Sequence, residues 1–327
     1  MNVNRSQANF YGILIDESTD ISVRKTMVMY LRHVSKGEMV TDFVGNIRVA
    51  DGKADTLISA IVSKMTALKV DPKMLVGLAT DGASVMTGRS CGVGVQLLQG
   101  SPGLVHVHCV AHRLNLACVD AMKQEKYLEL LKGNVNSLYS YFHASSIRSN
   151  NLKAQQEALD EPQVRLKHAI DIRWLALYDA VAAVHASYGS LVAAITSEAE
   201  NKQLSIKAQA VHKFITEFSF PAVIALLCDV LKIVTNLSKK FQSSNIDLSS
   251  VEPSVTIAIS QIMAFHESPG TCLKEFLDGV DIQDTKHTYK GVVLTDAAEQ
   301  AVSFLSLKKH YIDNVIEALK ARLAYTK

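Results

Sequence analysis

Asp16 and Asp81 are the residues of this 327-residue chain best placed to do chemistry. Each ends an apolar, strand-like run: residues 11–16 (YGILID) and residues 74–80 (MLVGLAT) followed by Asp81. Neighbouring strands lie about 4.8 Å apart, so aspartates at the same end of two paired strands can face each other. Two carboxylates that close are the minimum for holding Mg²⁺, a hard cation that takes oxygen ligands and keeps several waters. Cations paired about 3.5–4 Å apart activate water and stabilise the leaving oxygen of a cleaved phosphodiester. Taken singly, each aspartate also reads as the start of a turn after a strand. The order of the strands decides whether they meet.

Three other segments carry reactive side chains. Residues 79–94 (ATDGASVMTGRSCGVG) are glycine-rich but lack GxGxxG and the Lys-Ser/Thr of a phosphate loop, so they read as a tight strand-to-helix turn. His106, His108, Cys109 and His112 form HVHCVAH, four zinc-type donors. Strand alternation puts His106 and His108 on one face, while Cys109 and His112 sit across the next helix entry. A packing or site-lining role for Cys109 and His112 therefore outranks a metal. The third segment, residues 171–178 (DIRWLALY), holds the only tryptophan, Trp174. On an amphipathic helix it reads as a core anchor. Its neighbour Arg173 opens a second reading, since indole and guanidinium both stack on unpaired bases.

The elements that must position these residues fall into two regions. Strand-like runs at residues 11–16, 25–34 and 39–49 come first, the last two joined by a turn at Lys36-Gly37. A helical period over 54–68, a strand at 74–80, a helical stretch at 83–98, a strand at 104–109 and a helix at 111–122 follow. Three strands followed by alternating helix and strand is the order of an RNase H-like sheet. A dinucleotide-binding fold would instead begin strand–helix–strand with a Gly-rich turn. Helical periodicity then dominates over 128–141, 175–194, 208–241, 255–265 and 297–325, with polar breaks at 145–151, 243–250 and 278–290. The expected class is α/β: an RNase H-like mixed sheet core over residues 1–125, followed by an all-α insertion domain over 126–327.

Composition excludes several classes. Five scattered cysteines without a CxxC pair argue against a disulfide framework and a zinc finger. The first ten residues have no apolar segment suited to a signal peptide. The longest apolar stretch, residues 220–230, contains Pro221 and Asp229 and falls short of the roughly 20 residues that span a bilayer. No membrane role is expected. A net charge of +2 leaves no nucleic-acid footprint at the level of the whole chain, although segregated charge can still build a basic groove.

Four segments together, GILIDESTDISVRK, LATDGASVMTGRSCGVG, LVHVHCVAHRLNLA and IRWLALYDAV, resemble the hAT superfamily of DNA transposases. More narrowly they resemble zinc-finger-plus-hAT proteins domesticated from such elements, over residues 10 to about 185. The resemblance implies that Asp16 and Asp81 match the first and second catalytic acids, which hold Mg²⁺ or Mn²⁺. Cys109 and His112 match a CxxH motif lining the active site. Arg173 and Trp174 match an RW motif that contacts DNA, its Trp stabilising a flipped base. Extruding a base costs a few kcal/mol, and stacking offsets part of that. DNA and protein partners and a nuclear location follow from the same likeness.

The departures are as informative. The family's third acid, a glutamate beyond the insertion, its dimerisation segment and its BED- or TTF-type zinc finger are not recognisable in the sequence. Asp120 stands at an integrase-like distance after Asp81, but its helix already carries the CxxH motif. The expectation is a transposase-derived, catalytically incomplete nuclear protein that binds nucleic acid or protein, with no autonomous transposition. Two alternatives stand beside it: an active Mg²⁺-dependent nuclease or strand-transferase whose third acid comes from elsewhere, and an interaction scaffold in transcription or sumoylation.

Overall fold

A computed structural model describes residues 10–19, 25–169, 174–199, 206–243 and 247–323. The chain divides into two compact units between Arg113 and Leu114, ahead of Glu125.

The first unit is built on five strands: β1 (Tyr11–Thr19), β2 (Lys25–Ser35), β3 (Glu38–Arg48), β4 (Leu75–Thr80) and β5 (Val105–His108). Their order is β3-β2-β1-β4-β5. The first three form an antiparallel meander, and β4 and β5 run parallel to β1. This is a mixed α/β sheet of the RNase H-like kind. Lys36 and Gly37, with φ of 52° and 83°, make the two-residue turn between β2 and β3, as hairpin twist demands. On β2 the alternate residues Met27, Met29 and Leu31 are buried. They join Ile13 and Ile15 of β1 under helix α1 (Ala54–Ala67), which supplies Leu57, Ile61 and Met65 at four-residue spacing. The helical stretch expected over 83–98 is broken into α2 (Ser84–Thr87) and α3 (Val93–Gly100). Between them the chain folds back so that the Gly92 amide bonds the Gly88 carbonyl at 3.1 Å. Helix α4 (Val110–Lys123) follows β5.

The second unit holds helices α5 (Lys126–His143), α6 (Ser146–Ala158), α7 (Trp174–Ala186), α8 (Tyr188–Ala199), α9 (Ile206–Ile215) and α10 (Ser219–Phe241). Helices α11 (Val251–Met263), α12 (Thr271–Gly279) and α13 (Ala297–Leu323) follow. Helix α10 is its axis, packed by α7, α9, α11, α12 and α13. Every residue from Phe220 to Leu231 is buried, the signature of a helix enclosed on all sides. Helix α10 is long and apolar enough to cross a membrane, but 83% of that window is buried within the protein. Phe218, Phe276, Tyr289 and Tyr188 stack in series beside it, with ring centres 4.8–5.4 Å apart.

Helix and loop boundaries differ from the periodicity in four places, each with a local cause. The 175–194 period is two helices bent by 72°, where the Ser187 hydroxyl donates to the Ala183 carbonyl at 2.7 Å. The 208–241 period breaks at Glu217, which forms a strand-like bridge with Thr295. The polar stretch 145–151 is helical, because Ser145 caps α6 and Leu152 and Gln156 bury its inner face. The polar stretch 278–290 ends α12 with its first two residues and then enters a small meander, β6 (Val280–Gln283), β7 (Lys286–Tyr289) and β8 (Val292–Leu294). Its second turn uses Lys290 and Gly291 at φ of 49° and 74°. The second unit is a helical region carrying this small sheet.

One ion pair fastens α6 to α8. Arg148 donates to both oxygens of Glu198 at 2.7–3.1 Å, and Tyr141 donates to Oε2 at 2.6 Å. The two charged side chains are only 24% and 19% exposed. Arg148 holds the Glu198 carboxyl below the ordinary glutamate range; burial pushes the other way, and Tyr141 adds a smaller depression. Glu198→Gln is expected to cost about 1.5–3 kcal/mol at neutral pH, the range of hydrogen bonds to charged groups. The native state keeps Glu198 ionised at pH values where the unfolded chain takes a proton. Its contribution is therefore complete above the ordinary glutamate value and lost as pH falls through the depressed one. Thermal melts from roughly pH 3 to 7, a span that brackets the ordinary glutamate pKa of about 4.3, should show this acid-dependent loss in the natural protein and not in Glu198→Gln.

Candidate functional site

The parallel pairing of β1 with β4 decides whether the aspartates meet. Gly12 pairs Gly77, Ile13 pairs Leu78 and Leu14 pairs Ala79. Continuing this register by two residues brings Asp16 beside Asp81, at the carboxyl ends of adjacent strands. Ile13 and Ile15 turn into the core, so Leu14 and Asp16 take the opposite face, with Asp16 exposed. By the same alternation Asp81 shares that face through Ala79.

The electrostatics agree with the register. Burial first, then repulsion from Asp81, raises the Asp16 carboxyl above the ordinary aspartate range; His112 and the Glu17 amide draw it partly back. Asp81 therefore acts on Asp16 as a like charge. One oxygen of Asp81 is taken by the Ala83 amide at 3.1 Å, a turn that fixes its side chain. The second oxygen has no such backbone partner among the described residues. Both readings made for Asp81, turn former and acidic ligand, are compatible in one side chain.

Glu17 adds a carboxylate that the sequence reading did not single out. It is raised by burial, lowered by Lys25, and raised again by Asp81 and Asp16. Alternation along β1 turns it away from Asp16. A methyl group built on Gly52 would lie 2.7 Å from Lys25 Nζ and 3.3 Å from Glu17 Oε1, so that carboxylate and the ammonium meet there.

The histidines occupy the other side of the sheet. Pairing of β4 with β5 sets Leu78 against His106 and Thr80 against His108, so both imidazoles share the face of the core. His106 Nε2 lies 2.8 Å from the Thr80 hydroxyl, which donates to the Asp81 carbonyl at 2.8 Å. With the hydroxyl proton so used, His106 carries its own proton on Nε2, and the chain of bonds fixes the backbone at Asp81. Gly82 and Gly94 make room for the two rings: an added Cβ would fall 2.3 Å from His108 and 2.2 Å from His106. That steric need accounts for two glycines of the 79–94 segment. Burial depresses both imidazoles, and His112 and Arg113 depress His108 further.

His112 lies in the first turn of α4, its ring 5.5 Å from that of His108, and it acts on Asp16. Cys109 follows β5; its amide bonds the Thr80 carbonyl at 2.8 Å and its thiol is exposed. Asp120 belongs to the second unit, where Arg322 Nε donates to its carboxylate at 2.5 Å. Arg173 lies outside the described residues, and Trp174 opens α7 with its side chain also outside them.

Two neighbouring carboxylates, the one acting on the other as a like charge, are donors of the kind that a hard divalent cation takes. Oxygen donors favour Mg²⁺ or Mn²⁺, and a nearby imidazole is better tolerated by Mn²⁺. Residues 3–92 match the family model described as DUF4371: ZMYM1/FAM200, RNase-like domain. The matched span holds β1 to β4, with both aspartates, and agrees with an RNase H-like core.

Proposed function

We propose that this chain derives from a hAT-type transposase and acts as a nuclear nucleic-acid-binding protein that does not cut DNA by itself. The observation that carries the reading is the β1/β4 register, which sets Asp16 beside Asp81 on one face of an RNase-like sheet. In this reading Asp16 and Asp81 bind one Mg²⁺ or Mn²⁺ ion, with Cys109 and His112 at its margin. Arg173 and Trp174 are assigned to DNA contact. A cation held at this edge offers a positive charge to a phosphate oxygen, and the fixed turn at Asp81 keeps its ligand in place.

Cleavage by two metal ions needs more oxygen ligands than two aspartates provide. Glu17 alternates to the other face of β1 and Lys25 draws on its carboxylate, so this reading leaves it to that ammonium although both aspartates act on it. Asp120 is held by Arg322. Binding without cleavage is the chemistry that this donor set supports.

Fluorescence anisotropy with duplex and hairpin-ended DNA tests the proposal, alongside a Mn²⁺-dependent nicking assay. The expected result is binding that weakens steeply with salt, as phosphate contacts require, and no nicking. Nicking that disappears in Asp16→Asn would establish an active nuclease instead. Lack of DNA binding at low salt, with stable protein partners recovered, would leave an interaction scaffold.

A further inference from the structure

We propose that His185, Cys228 and Cys272 form a three-residue zinc site in the helical unit, with the fourth coordination position open. The three residues come from α7, α10 and α12, and their ligand atoms all lie within 4.8 Å of one another. Zinc takes thiolate sulfur at about 2.3 Å and imidazole nitrogen at about 2.0–2.1 Å. In a tetrahedron those bonds set ligands a little under 4 Å apart, a modest closing of the observed grouping.

A second observation points to a missing ligand. His185 Nε2 is buried and has no hydrogen-bond partner. The ring bonds the Cys272 backbone, which leaves that contact to Nδ1 and Nε2 as a bare lone pair. An imidazole oriented by a carbonyl through one nitrogen is the usual state of a metal-ligating histidine. A buried lone pair left unmatched costs free energy, and a cation removes that cost.

The sulfurs are prepared in the same way. Cys228 and Cys272 are hydrogen-bonded to each other, Cys228 donating to the Cys272 sulfur, so both sulfurs already face one point with His185. Zinc binding would release the thiol protons and set two thiolate charges against the cation. Asp229 does not compete as a ligand, because its oxygens take the Cys272 and Leu273 amides at 2.9 Å each. Glu275 stands one helical turn after Cys272, exposed, and acts electrostatically on all three residues. A disulfide between Cys228 and Cys272 is the rival chemistry, but it leaves the His185 nitrogen unexplained.

The full chain, purified under reducing conditions, should contain about one zinc per molecule by mass spectrometry. After chelation and loading with Co²⁺ it should show a thiolate-to-cobalt charge-transfer band. Chelation should lower the melting temperature by about 5 °C or more. Cys272→Ser and His185→Gln, both at partly exposed positions, should lose metal and band, while Cys109→Ser retains them. A protein that binds neither ion, or a metal content unchanged in both variants, overturns the proposal. So does a Cys228–Cys272 disulfide in metal-free protein with unaltered stability.

Discussion

Asp229→Ala is expected to destabilise the helical unit by about 3–5 kcal/mol, the range for removing one partner from a buried charged network. Asp229 is only 6% exposed, within residues 220–231 of α10, which are buried throughout and otherwise apolar. Its carboxylate accepts the Cys272 and Leu273 amides, both at 2.9 Å. These belong to the first turn of α12, whose amides have no partner inside their own helix. Alanine leaves both amides buried and unmatched, and loses the contact with Gly270, where a built Cβ would fall 2.3 Å from Asp229 Cγ. Asparagine keeps one acceptor and should lose about half as much. Urea denaturation of the three proteins measures this directly. A loss below about 1 kcal/mol for alanine, the level of an ordinary neutral hydrogen bond, would show that α12 is held by packing alone.

The second large effect concerns divalent cation at the acidic edge. Mn²⁺ at a hundredfold excess over its dissociation constant should stabilise the natural protein by about 2.7 kcal/mol. Asp16→Asn and Asp81→Asn should each lose most of that gain. Without cation the order reverses for Asp16. Its carboxyl is raised by burial and by Asp81, so the folded state holds a proton that the unfolded chain has released. Stability therefore falls as pH rises from the ordinary aspartate value through the raised one. Asp16→Asn removes this penalty, and metal-free variant should melt at or above the natural protein at neutral pH. Melting curves with and without Mn²⁺ separate the effects. Equal gains in the natural protein and both variants would place the cation elsewhere.

The acidic edge was legible because a strand reports itself through local pattern. Residues 11–16 and 74–80 are short apolar runs, and the Lys36-Gly37 turn fixes the meander that orders the sheet. Two aspartates ending such runs then meet by register alone. The imidazole face was partly legible: alternation placed His106 and His108 together, but nothing local revealed that Gly82 and Gly94 exist to admit their rings. Contacts between distant helices left no such mark. Cys228 and Cys272 look scattered in sequence, and their meeting with His185 depends on how α7 and α12 pack on α10. Asp229 looked like an interruption in an apolar run, yet it fastens a helix that begins more than forty residues later.

Helix boundaries failed for a related reason. Apolar periodicity runs on unchanged through Ser187 and Glu217, where a side-chain hydrogen bond and a single bridge to Thr295 redirect the backbone. Conversely, α6 carries too few apolar residues to announce itself, and Arg148 bonding Glu198 ties it down. Polar interactions set these joints, and hydrophobic pattern does not record them.

Crystals of the protein grown or soaked with Mn²⁺ and measured at the manganese absorption edge put the proposed function to its most direct test. If the proposed function holds, an anomalous peak lies between the Asp16 and Asp81 carboxylates and is absent from Asp81→Asn crystals. Carboxylates that diverge with no density between them, at a Mn²⁺ concentration that stabilises the protein, would contradict it.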